Sequence, residues 1–201
     1  MTSSVLILAA VACLLELDTT YAFQLTFSRG IVAGPLLALI TGDVMAGVQA
    51  GVFAELLFAD INPLGGILPP SAVTCCAVSL ALHSMGVPLY IAFFFGVVSA
   101  VLFSHAERAM RKYRAPWLVS WEERIIQTPA LVYRPVVISL ISYAVFSFVL
   151  ILLFIFLSRP PALWMTAHLP EKAHLACKFS FIAVPWIGIA ALIASFRLKA
   201  R

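Results

Sequence analysis

The chain has 201 residues, of which 63% are hydrophobic and 11% charged, with a formal net charge of +4 and a mean hydropathy of +1.05. A soluble globule carries about 25% charged residues, so this composition excludes a water-soluble enzyme or binding domain and specifies an integral membrane protein. No polar block is long enough to fold outside the bilayer, which makes residues 1–201 a single membrane domain.

The first apolar run lacks the basic n-region and the small-x-small cleavage site of a signal peptide. It reads as a first membrane helix from about Ser4 to Leu17, with Glu16 and Asp18 near one end, where carboxylates reach water or a headgroup. From Gln24 to Ser71 the apolar pattern is broken. Ile31 to Ile40 is too short for the roughly 20 residues a span requires, and it is bounded by Gly30, Gly34-Pro35 and Gly42-Asp43. Val44 to Phe58 continues as a helix whose Ala46, Gly47, Ala50, Gly51 and Ala54 form a small-residue stripe fit for close approach of another helix. The turn Asp60 to Gly66 and the Pro69-Pro70 pair cannot be regular helix, and non-helical backbone at membrane depth persists only where protein covers it or a wet cavity lies beside it. Re-entrant hairpins and broken helices meet that condition, and transporters build substrate sites from them.

Ser71 to Ser84 and Val87 to Phe103 follow as apolar segments divided by Met85-Gly86 and Pro88. These segments complete an N-terminal half, residues 1–104, with the broken block 24–71 as its core. The polar stretch 105–134 carries Arg108, Arg111, Lys112, Arg114, Arg124 and Arg134 against Glu107, Glu122 and Glu123, which predicts a cytoplasmic loop. Trp117 and Trp121, with Leu118 and Ile125, predict a short helix on the membrane surface within it. Positive-inside orientation accounts for this basic patch, and nucleic acid is not an expected partner. In the C-terminal part, 135–201, Pro135 to Leu157 is an uncharged span, Arg159 to Lys172 reads as an exterior loop, and Leu175 to Phe196 returns to a cytoplasmic C-terminus ending in Arg197, Lys199 and Arg201.

Arg29, Asp43, Glu55 and Asp60 therefore stand among apolar residues, where ionisable groups usually face a pocket, a pathway or a partner. Asp43 after Gly42 fits a helix cap, and Arg29 fits a charge partner for Asp43 or Glu55. Glu55 can accept hydrogen bonds from a polyol or serve a structural role, and Gln24, Asp60 and Asn62 are further candidate contacts for a hydroxylated solute. Glu55 and Asp60 make no convincing acid/base dyad, since they lie across a helix end without a nucleophile motif. The scattered His83, His105, His168 and His174 suggest no catalytic or phospho-acceptor histidine, and Cys13, Cys75, Cys76 and Cys177 read as small buried hydrophobes. No metal or cofactor is expected.

The run SRGIVAGPLLALITGDVMAGVQAGVFAELLFADINPLGGILPPSA resembles the first block of the membrane subunit IIC of the mannose/fructose/sorbose family of the bacterial phosphotransferase system. Gln24, Ser28, Arg29, Gly34, Pro35, Gly42, Asp43, Gly47, Gly51, Glu55, Pro63, Gly65, Pro69 and Pro70 stand at matching positions, and close matching covers roughly residues 17 to 72. Gly30 stands where the family usually has proline, and Ser71 where it usually has aspartate. The resemblance implies an all-α, multi-pass protein of the bacterial inner membrane, similar to an inverted-repeat transporter with re-entrant hairpins. The second repeat would here be truncated, since the family continues with a further hairpin and span. It implies a sugar-translocating subunit, not itself an enzyme, that works with a membrane subunit IID. Cytoplasmic IIB would phosphorylate a hexose-type sugar and IIA would recharge it, in a trimer of IIC/IID pairs. A transport-inactive scaffold of the same fold and a phosphorylation-independent carrier are the alternatives, the first favoured by Ser71 and the short C-terminal part.

Overall fold

The computed structural model describes residues 2–20, 25–61 and 68–199. They form helices α1 (Thr2–Thr20), α2 (Gly30–Thr41), α3 (Val44–Phe58), α4 (Ala72–Ser84), α5 (Leu89–Gln127), α6 (Tyr133–His168) and α7 (Glu171–Lys199), with a 3-10 turn at Pro129–Val132. The described residues contain no strand. Three of the helices, α5, α6 and α7, are long and apolar enough to cross a membrane, whereas α2, α3 and α4 are shorter apolar helices.

The α2–α3 hairpin owes its tightness to consecutive terminators. Gly42 takes φ of 85°, a left-handed conformation that glycine adopts without penalty, and its N–H donates to Ala38 O at 2.8 Å. Asp43 then starts α3, its carboxylate accepting from Ala46 N at 3.0 Å. Behind the turn the two helices meet backbone to backbone. A Cβ on Gly34 would run into Gly47 O and Gly51 Cα, and one on Gly51 would strike Gly30 O. Small residues at such spacing let dispersion contacts replace the hydrophobic drive that is missing between helices in lipid. At about 18 Å and 22 Å, neither α2 nor α3 matches a hydrocarbon core of about 30 Å.

Helix α4 is the centre of the bundle. Ser71 caps it by accepting from Thr74 N at 2.9 Å, and every residue from Val73 to Leu82 is buried. It packs antiparallel on α5 through Gly96, where a Cβ would meet the Ser79 hydroxyl and Cys75 O. Cys13, Cys75 and Cys76 lie buried as free thiols, and Cys177 is half-buried. Phe181 of α7 joins Phe53 and Phe93 with ring centroids 4.7 and 5.3 Å away, and Gly188 lies against Leu56.

Two segments differ from the sequence expectation. The stretch 105–134 was expected as a loop with a short surface helix, but residues 105–127 continue α5 without interruption, through Pro116. Local charge masked the helix here: Glu107 and Arg111 are one turn apart and bonded at 2.6 Å, Ser104 and Glu107 are buried, and Arg114 reaches Ser139 O of α6 at 3.2 Å. Likewise, Arg159 to Lys172 is mostly helix, since α6 runs through Pro160-Pro161 to His168, with Ala162 wholly buried. Proline is tolerated inside membrane helices where neighbours re-satisfy the freed carbonyls. With 39 residues, α5 is about 58 Å long and so overruns an apolar core of about 30 Å. On α6, Ile141, Val145, Val149 and Leu153 recur at four-residue spacing and are all exposed, as a lipid-facing stripe should be.

Candidate functional site

Four helix ends converge at one end of the short-helix bundle: the close of α1, the start of α2, the close of α3 and the start of α4. Asp18 ties the connection that precedes α2, accepting from Leu25 N at 2.7 Å and Ser28 N at 3.2 Å. Thr26, at φ of 67°, turns the chain there, and Arg29 N donates back to Thr26 O at 3.1 Å. The tie sets the position of Arg29, whose Nη1 meets Glu55 Oε1 at 2.7 Å. The other oxygen of Glu55 accepts from Gly30 N at 2.8 Å.

One carboxylate thus serves a guanidinium and the unpaired first-turn N–H of α2, where the helix dipole also favours negative charge. Gly30 contributes in two ways. It supplies an N–H that proline lacks, and its missing Cβ leaves room for Gly51 O and the Ala72 methyl. The pair is open on one side, with 64% of the Arg29 side chain and 24% of Glu55 exposed. A carboxylate offers about four lone-pair directions, so Glu55 retains acceptor capacity toward a hydroxyl group.

Beside this pair lies a second, closed carboxylate. Glu16 was expected to reach water or a headgroup, but it is 2% exposed and accepts from the hydroxyls of Ser71 and Thr74, the latter at 2.8 Å. Asp18, expected to do the same, is 5% exposed. Both are turned inward because α4 and the 25–29 connection supply donors, which is how a buried carboxylate is made tolerable. Ser71 therefore has two bonds, one capping α4 and one to Glu16. An aspartate in its place would set a second carboxylate against the first.

The structure brings Arg29 and Glu55 together and separates them from Asp43, which sits at the far end of the hairpin. There its Oδ2 lies 3.2 Å from His83 Nε2, while His83 Nδ1 lies 3.0 Å from Val87 O. Sequence reading missed this pairing because the two residues stand 40 positions apart in the chain. The pair is exposed, so solvent screening leaves it little stabilising effect beyond the cap. Asp43→Ala is expected to lower the melting midpoint, mainly through the lost cap of α3, and His83→Gln much less. Melting curves of the detergent-solubilised variants check that order. Asp60 is exposed just beyond α3. Gln24 and Asn62 lie outside the described residues.

A cavity of about 310 Å³ opens between α3, α5 and α7, lined by Gln49, Phe53, Leu89, Tyr90, Lys178 and Phe181 among others. Tyr90 OH lies 3.0 Å from His174 Nδ1 at its edge. None of its polar residues was a candidate from sequence. Gln49 was the available signal, a lone amide inside the small-residue helix.

A model of the family described as "PTS system sorbose-specific iic component" matches residues 2–199. Among curated proteins, the "Putative N-acetylgalactosamine permease IIC component 2" of Escherichia coli strain K12 is 29% identical over 91 residues, covering 37% of this chain and 68% of that protein. A solved structure described only as "Structure of membrane protein" aligns with a TM-score of 0.64 at 15% identity, over 98% of this chain and 80% of its own. That last similarity is one of fold.

Proposed function

Because the chain belongs to the sorbose-specific IIC component family of the phosphotransferase system, whose members are membrane-embedded permease subunits, we propose that it carries a hexose-type sugar across the bacterial inner membrane. Phosphorylation would fall to a cytoplasmic IIB recharged by IIA, with IID as the membrane partner and trimers of IIC/IID pairs as the assembly. The observation that supports a binding role is the half-open Arg29–Glu55 pair at the mouth of a glycine-packed hairpin. We assign Glu55 to a sugar hydroxyl, with Gln24, Asp60 and Asn62 as further contacts, and Arg29 to positioning the carboxylate.

The pair lies at the same end as the basic turns of α5. Gly30 touches Ala72 at the start of α4, and α4 runs antiparallel to α5, so the bundle end with Glu55 is the end from which Arg108 to Arg114 project. If that end is cytoplasmic, as the distribution of Lys and Arg favours, the site opens toward IIB and the C-terminus lies on the same side.

The test is phosphoenolpyruvate-dependent sugar uptake into vesicles containing IID, IIB and IIA. Glu55→Gln keeps the shape and the bond from Gly30 but removes the charge. It is expected to lower uptake at least about tenfold, equivalent to ~1.4 kcal/mol, at equal amounts of folded protein. Unchanged uptake would remove Glu55 from the site. Sugar accumulation without phosphoenolpyruvate would point instead to a phosphorylation-independent carrier. A transport-inactive scaffold of the same fold is favoured by one observation, that Ser71 is committed to Glu16 and the α4 cap. Stabilisation of the purified complex by sugar would count against it.

A further inference from the structure

A second cleft among the described residues lies away from the polar helix ends, between the overrunning part of α5 and the first turns of α6, with a volume of about 640 Å³. That is within the range of pockets that hold whole ligands. Its walls are mainly carbon: Ala109 and Met110 on α5 face Ile138 and Phe146 on α6, and Tyr113, Arg114, Trp117 and Ser142 also line it. Met110, Arg114 and Trp117 follow one another at four- and three-residue spacing, so they share one face of α5.

The position of the cleft along the two helices says what can fill it. The uncharged run of α5 ends near Ser104 and that of α6 begins near Pro135, so the cleft straddles the boundary between the apolar core and the polar surface. Indole and guanidinium groups are suited to that depth, because each joins an apolar body to a polar end. From Ala106 to Trp117 the chain carries Arg108, Arg111, Lys112 and Arg114 against one acid, Glu107, which Arg111 already holds. Arg108 and Lys112 are exposed on other faces of the same turns, so the cleft lies in the positive field of this segment, and Arg114 lines the cleft itself. Basic pockets between membrane helices on the cytoplasmic side suit anionic lipid headgroups.

We propose that the α5–α6 cleft is a binding site for an anionic phospholipid. One acyl chain lies between Met110, Ile138 and Phe146, and the phosphate sits at Arg114 with Lys112 adding to the local field. A soluble anion is disfavoured by the mainly carbon walls, and a zwitterionic lipid gains less from Arg114 and the positive field around it. The proposal is independent of the sugar reading.

The experiment uses the full chain in detergent, titrated with phosphatidylglycerol or phosphatidylcholine carrying the same brominated acyl chains, with tryptophan fluorescence as readout. Phosphatidylglycerol is expected to quench at a concentration at least about fivefold below phosphatidylcholine. Trp117→Phe should remove most of that selective quenching, because its ring lines the slot. Arg114→Gln should bring the two lipids together, Arg114→Lys should largely keep them apart, and Arg159→Gln, at the far end of α6, should change nothing. Ile138→Trp, which fills the slot, should abolish selective quenching. Equal quenching by the two lipids would overturn the proposal, as would selectivity that survives Arg114→Gln or is lost equally with Arg159→Gln. So would a Ser142→Cys variant that crosslinks in native membranes to a second polypeptide seated in the cleft. Should Arg114→Gln fail to fold, the Trp117→Phe comparison decides alone.

Discussion

Gly34→Val is expected to destabilise the detergent-solubilised chain by about 3 kcal/mol or more, seen as a large fall in its unfolding midpoint. Overpacking a well-filled interior commonly costs 1–3 kcal/mol when side chains can shift aside. Here the obstacle is main chain, since the new Cβ would meet Gly47 O and Gly51 Cα, and no rotamer relieves that. Gly42→Ala provides the contrast. Nothing lies near a Cβ at that position, so its cost is the left-handed backbone alone, about 1–2 kcal/mol. If the valine variant melts like the parent chain, the two helices do not touch through their backbones and the hairpin described above is wrong.

Glu16→Ala is the second substitution with a large expected effect, a loss of about 2–4 kcal/mol by the same measurement. It strips an acceptor from two hydroxyls at a site that is 2% exposed and leaves a void between α1 and the start of α4. Glu16→Gln should restore most of the loss, because its amide oxygen can still accept from Ser71 and Thr74 without a charge. An alanine variant no weaker than Ser71→Ala would mean that the carboxylate contributes nothing beyond that one hydroxyl.

The sequence was most informative where chemistry is local. The glycines and alanines of Val44 to Phe58 showed which face a neighbouring helix would cover, and Gly42-Asp43 marked a helix end followed by a helix start. Charge pairing was only half readable: Arg29 had two candidate partners, and spacing alone could not choose Glu55 over Asp43. Glu16 was misplaced because a carboxylate close to a helix end ordinarily reaches water. Its burial depends on Ser71 and Thr74, 55 and 58 positions away, which no local pattern contains. The same holds for His83 opposite Asp43 and for the cavity behind Gln49, whose walls come from three helices distant in sequence. Prolines misled in the opposite direction. Pro116 and Pro160-Pro161 resemble loop markers in water, but between apolar helices they are carried within continuous α5 and α6.

Direct main-chain contact along α2 and α3 constrains how this region can move. Side-chain interfaces slide by trading rotamers, but two backbones wedged at Gly30, Gly34, Gly47 and Gly51 have no such intermediate positions. Any alternating exposure of Glu55 must therefore carry the pair as one rigid body, with the pivots outside it and the surrounding helices acting as the track.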